Sequence, residues 1–152
     1  MTAVLLKGEE LEVARAEVEA VRAAVGESDY GDLLDALLDT LGEGSEVDGR
    51  HAEELDRVIT LALQSGRVRA LYGPGGEQAA LRAFRKLPTG AELSQSAAAV
   101  NDALASLEGR SLERLSLTAV GPGSFTLAVA TDGAQLSIRL DRQGARVTSV
   151  EA

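Results

Sequence analysis

The stretch LERLSLTAVGPGSFTLAVATDGAQLSIRLDRQGARVTSV, Leu112–Val150, decides the fold, because apolar residues recur in it with a period of two. Leu115, Leu117 and Ala119 alternate with Arg114, Ser116 and Thr118. Phe125, Leu127 and Val129 alternate with Thr126 and Ala128, and Leu136, Ile138 and Leu140 with Gln135, Ser137 and Arg139. Residues 145–150, with Val147 and Val150, form a weaker fourth run. Gly121-Pro122-Gly123-Ser124 puts Pro and Gly where a type II turn requires them. Asp132-Gly133 is a two-residue hairpin signal, and Asp141 to Gly144 is a four-residue loop. The stretch therefore predicts a four-stranded antiparallel meander with one apolar and one polar face.

Upstream the period lengthens to that of helices. Thr89-Gly90-Ala91-Glu92 has the form of a capping box and opens a helix over 90–108. Its stripe of Leu93, Ala97, Val100, Leu104 and Leu107 suits the apolar face of the sheet. Further helices are predicted at 9–25, 29–41 (with Asp29 as N-cap), 50–65 and 76–86. A short strand is expected at Ala3 to Leu6. Residues 67–72 are left undecided, since Val68, Ala70 and Tyr72 alternate over too short a window to fix the period. The fold class is α+β: a helical N-terminal half of about four helices, then a helix packed on the meander. Residues 1–88 read as an acidic helical region and 89–152 as helix plus meander, together one compact unit.

Charge and composition exclude several functions. The 152-residue chain carries a net charge of −9. Residues 1–60 hold sixteen acids against five bases, or −11, and residues 61–152 eight against ten, or +2. Phosphate backbones are bound by clustered cations, so an acidic first half disfavours nucleic acid as a partner. Two Tyr, two Phe and no Trp leave little for base stacking. The absence of Cys excludes thiol chemistry and thiolate metal sites, and a single His excludes multi-His metal centres. No window has the ~20 apolar residues of a membrane span. These features, with Arg-rich, Ala-rich usage, lead to the expectation of a soluble bacterial protein of the cytoplasm.

LYGPGGEQAALRAF, Leu71–Phe84, is the segment most like a ligand-binding motif. It lacks the Lys and hydroxyl of a phosphate-binding loop and the third Gly of a dinucleotide fingerprint, and Glu77 stands in the first helical turn, where the anion would go. It reads as a turn that starts a helix. Asp32, Asp35 and Asp39 share a helix face, as in some metal-dependent nucleotide hydrolases, but the facing Glu pairs of such sites are missing; a solvated acidic face is the simpler reading. His51, in a polar loop, is expected to be exposed.

Arg67, Arg69, Arg82, Arg85 and Lys86 form the basic cluster of the chain. Arg82, Arg85 and Lys86 lie at i, i+3 and i+4, on one helix face. They are the candidate ligand- or partner-binding residues, for an anion or a nucleic acid, unless they pair with the acidic N-terminal helices. No catalytic residue, metal site or cofactor is assigned. The function expected is a non-enzymatic protein–protein interaction or adaptor module, self-associating as a homodimer or binding another protein. Its meander has two edges that must be covered or paired.

Overall fold

The computed structural model describes residues 3–152. It divides the chain into two compact units, Met1–Ala91 and Glu92–Ala152. Five helices precede four strands: α1 (Glu9–Val25), α2 (Asp29–Gly42), α3 (Gly49–Gln64), α4 (Arg67–Lys86), α5 (Pro88–Ala105), β1 (Leu112–Gly121), β2 (Ser124–Thr131), β3 (Gln135–Asp141) and β4 (Gly144–Glu151).

In the first unit α1 packs against α2, α3 and α4. Its Ala14 and Val18, fully buried, meet Leu34, Leu37 and Leu41 of α2 and Leu55 and Ile59 of α3. A second cluster on α1 joins Val13 to Ala62 of α3 and to Val68, Ala79 and Ala80 of α4. The three- and four-residue spacings of the sequence thus mark the faces that are buried.

Local chemistry moves several boundaries. Ala3 to Leu6 forms no strand: Val4 and Val47 exchange one reciprocal pair of backbone hydrogen bonds (2.7 and 2.8 Å) and the ladder stops there. The partner segment, a short connection between α2 and α3, offers no further residues. α2 is capped by Ser28, whose hydroxyl accepts from the Gly31 N–H at 3.0 Å, so Asp29 is the first helical residue rather than the cap. The undecided residues 67–72 are helical. Val68 and Tyr72, four apart, both join the second cluster while Ala70 is exposed, so the i, i+4 relation prevails over the apparent alternation. The helix expected at 76–86 consequently extends back to Arg67, broken at Gly73 (φ 69°, ψ −170°), a conformation that favours glycine. Pro74 follows, where its missing N–H costs nothing.

α5 starts at Pro88, and the capping box does not form. Instead Asp56 of α3 accepts from both the Thr89 N–H (3.0 Å) and the Thr89 hydroxyl (2.6 Å), while Glu92 is exposed. A neighbouring helix supplies the cap. α5 ends at Ala105 rather than 108 because Ser106, Leu107 and Glu108 turn to the tighter i→i−3 bonds.

The second unit is the expected meander, ordered β1-β2-β3-β4 and antiparallel throughout. Gly121 pairs with Ser124 across Pro122-Gly123, and Gly123 has φ 67°, as the third position of a type II turn demands. The Asp132-Gly133 connection is not a tight two-residue hairpin. Neither residue has positive φ, Thr131 closes the loop on the Ala134 carbonyl, and the Asp132 N–H donates to the Ser111 carbonyl. Val100, Ala103, Leu104 and Leu107, on α5 and the turn after it, pack on Leu127, Val129, Leu136, Ile138, Leu140, Ala145 and Val147, which belong to β2, β3 and β4.

Asp56→Ala is expected to lower the unfolding free energy by about 1–2 kcal/mol, the usual worth of an N-cap. Urea unfolding monitored by circular dichroism measures it; an unchanged midpoint would mean that Asp56 does not cap α5.

Candidate functional site

The five cations of the sequence cluster all lie on α4, and three are engaged by carboxylates of α1. Arg67 Nε is 2.9 Å from Glu17 Oε2. Lys86 Nζ donates to Glu10 Oε2 at 2.6 Å and to the Leu5 carbonyl at 3.4 Å. Arg82 lies 3.6 Å from Glu10 and 3.7 Å from Glu9. Glu17 and Glu10 are seven residues apart, about 10 Å along α1 at 1.5 Å per residue, so Arg67 is held well away from Arg82 and Lys86. Arg69 and Arg85 are exposed and make no ion pair among the described residues. The exposed pairs contribute little stability, whereas removing one partner of a buried carboxylate is costly.

Glu17 is such a carboxylate, its side chain 3% exposed, and Tyr72 also donates to it at 2.7 Å. Glu54 repeats the arrangement: it is buried on α3, accepts from Tyr30 at 2.7 Å and pairs with Arg57 at 3.3 Å. Burial, with the hydrogen bond to a carboxylate, pushes both Tyr72 and Tyr30 up to about 12 from the ordinary value of 10. These networks were not picked out in the sequence, although a signal existed. Glu10 and Glu17 lie in phase with Ala14 and Val21 on the buried face of α1, where a carboxylate needs a partner. Each network ties two helices together and leaves no oxygen of the carboxylate directed at a ligand.

The other sequence candidates are dispersed. Asp35 pairs with Arg22 at 2.8 Å, and Asp32 and Asp39 are exposed. Among the described residues no group of three or more His, Asp or Glu could hold a metal ion. His51 is half-buried rather than exposed, because it lies in the first turn of α3. The glycines of GPGGEQ mark the break in α4. No described helix is long and apolar enough to cross a membrane. An open groove of about 400 Å³ between α1 and α3, floored by Ala20, Ala24, Val58 and Leu61, is mostly apolar, with Ser65 and the Glu17–Arg67 pair as its polar lining.

The largest apolar exposure of the second unit lies along β1. Leu112, Leu115 and Leu117 pair with Thr131, Val129 and Leu127, so all three project from the face that α5 covers. A bulge at Glu113 restores Leu112 to that face. Yet they are 60, 59 and 61% exposed, and Phe125 beside them is 40% exposed. The α5 packing ends at β2 and leaves them bare. The period of two identifies these residues as the apolar side of the sheet; it carries no information on where the covering helix stops. Against known proteins, no family model, no curated protein and no solved structure matches the chain.

Both tyrosines of the chain should ionise near pH 12. Their folded values are raised above the unfolded value of 10, so their contribution to stability is complete below pH 10 and is lost as pH rises towards 12. Ultraviolet titration of tyrosinate, uncluttered by Trp, checks this. Ionisation of either at pH 10 in folded protein would contradict its bond to a buried carboxylate, and Tyr72→Phe should cost about 1 kcal/mol at neutral pH.

Proposed function

We propose that the protein is a non-enzymatic interaction module that engages a protein partner through the apolar strip of β1. The observation that carries this reading is the row Leu112, Leu115 and Leu117, each more than half exposed on the side of the sheet that otherwise forms a core. At roughly 100 Å² of open surface for each leucine and for Phe125, the strip approaches 400 Å², within the range in which exposed apolar patches are often functional. The Thr89 hydroxyl that Asp56 holds is engaged in capping α5, and among the described residues no group of three or more His, Asp or Glu could hold a metal ion.

The alternative, binding of an anion or a nucleic acid around Arg82–Lys86, has less support. Arg82 and Lys86 are turned to Glu9 and Glu10, and Arg67 to Glu17, which leaves only Arg69 and Arg85 to offer a ligand. Two exposed cations give little of the counterion release on which backbone binding depends.

A photo-reactive residue replacing Leu117 is expected to yield a covalent adduct with a polypeptide in cells of the native host, and Leu115→Glu in the same chain should abolish it. The same probe at Ser137, on the opposite face of the sheet, should give none. If position 117 reacted only with solvent, or if both faces reacted equally, the strip would not be a partner surface.

A further inference from the structure

A meander of four strands has two edges, and they are built differently here. β4 is interrupted in its middle: Ser137 faces Ser149 and Ile138 faces Val147, so Thr148 is an extra, bulged residue. Bulges within an edge strand twist its free hydrogen-bonding groups away from any incoming strand. In β1 the shifts fall only at the ends, at Glu113 and Val120, and Arg114 to Ala119 pair with β2 in unbroken register. All ten residues of β1 are exposed. Within Arg114–Ala119 there is one charge, no Pro and no Lys. The devices that keep edges from pairing are therefore present on β4 and missing from the middle of β1.

The segment also matches itself. In an antiparallel pair with the two-fold axis perpendicular to the sheet, opposed residues project from the same face. Placing Ser116 opposite Ser116 sets Leu115 against Leu117 twice and Arg114 against Thr118 twice. Every leucine then faces a leucine, and no charge meets its like. Shifting the centre to Leu117 sets Leu115 against Ala119, and shifting it to Leu115 sets Leu117 against Glu113, so both alternatives lose a pair of leucine contacts.

We propose that β1 is the dimer edge of this protein, two copies pairing antiparallel over Arg114–Thr118 with Ser116 at the two-fold axis. This rests on the reading of the β1 strip as a partner surface and names the partner as a second copy. Pairing joins two four-stranded sheets into one of eight strands, with β1 and its mate at the centre. It brings the two leucine strips together as one apolar floor on the α5 side. Five residues from each copy bury an edge rather than a broad face. The interface is thus at the small end, below about 1,200 Å² in total, where association is weak and reversible on dilution.

Because the chain has no Cys, single thiols report the register without a competing background. Purified full-length Ser116→Cys, oxidised mildly or treated with a short bis-thiol crosslinker, is expected to link most chains into a dimer at about 100 µM protein, a concentration suited to a weak interface. Thr118→Cys should not link: its two copies would sit four residues apart along the strands, about 14 Å at 3.4 Å per residue, beyond the ~7 Å Cα reach of a disulfide. Ser149→Cys, on β4, should also stay monomeric. Circular dichroism and unfolding midpoints like those of the parent chain establish that each variant is folded. The proposal is overturned if folded Ser116→Cys stays monomeric, or if Thr118→Cys or Ser149→Cys links as fully. Should Ser116→Cys stay monomeric while the photo-probe at 117 captures a different polypeptide, the dimer falls and the interaction reading stands. If the photo-probe is silent as well, both fall.

Discussion

The packing of a single helix on a four-stranded sheet sets the properties of the second unit. A helix with its side chains is about 10 Å across, while four strands spaced about 4.8 Å apart span about 14 Å between their outer axes. α5 and the turn after it fill the centre of the meander through Val100, Leu104 and Leu107, over β2, β3 and β4. They do not reach Leu112, Leu115 and Leu117. A face apolar across its whole width is thus covered over part of it. Val150 of β4 is left bare at one edge, and the row of three leucines is left bare on β1, the edge strand whose ladder is unbroken in its middle. Apolar surface and free backbone groups coincide there, and each increases the tendency of the other to find a partner.

The first unit satisfies its polar groups internally. Its acidic helices bury Glu10, Glu17, Glu54 and Asp56, and each is met by a cation, a tyrosine hydroxyl or the start of a helix. The cations of α4 that look like a binding face in one dimension are in large part the counterparts of these carboxylates. Breaking one such contact leaves a buried charge, so the cations hold α4 to α1, while Glu54 ties α3 to Tyr30 of α2 and Asp56 ties α3 to the start of α5. The two units therefore differ in kind: one closes its polar groups upon itself, while the other leaves apolar groups open.

Much of the fold is legible in the sequence because period and punctuation agree. The alternation from Leu112 onward gives all four strands, and Gly26 and Gly66 mark the ends of α1 and α3. What is not legible depends on partners distant in the chain. Asp56 replaces Thr89's own capping box from thirty-three residues away, and Tyr72 joins the helical core through Glu17, fifty-five residues away. Residues 67–72 resist local reading because Val68 and Tyr72 satisfy both a two-residue and a four-residue spacing, and only their burial against Val13 and Ala62 decides between them. The basic cluster could be located by composition alone; its pairing with Glu9, Glu10 and Glu17 could not. Of the β1 strip, the apolar character was readable and the exposure was not.

The central claim is that the edge of β1 is paired in solution. The most direct measurement is amide hydrogen exchange of Arg114 to Thr118, resolved by nuclear magnetic resonance at two protein concentrations a hundredfold apart. Alternate amides of this segment donate to β2 and should exchange slowly at both. The others point to the free edge. The account predicts that these outward amides exchange rapidly in dilute solution and become protected at the higher concentration, while those of β4 do not change. Outward amides that remain equally unprotected at both concentrations would contradict it.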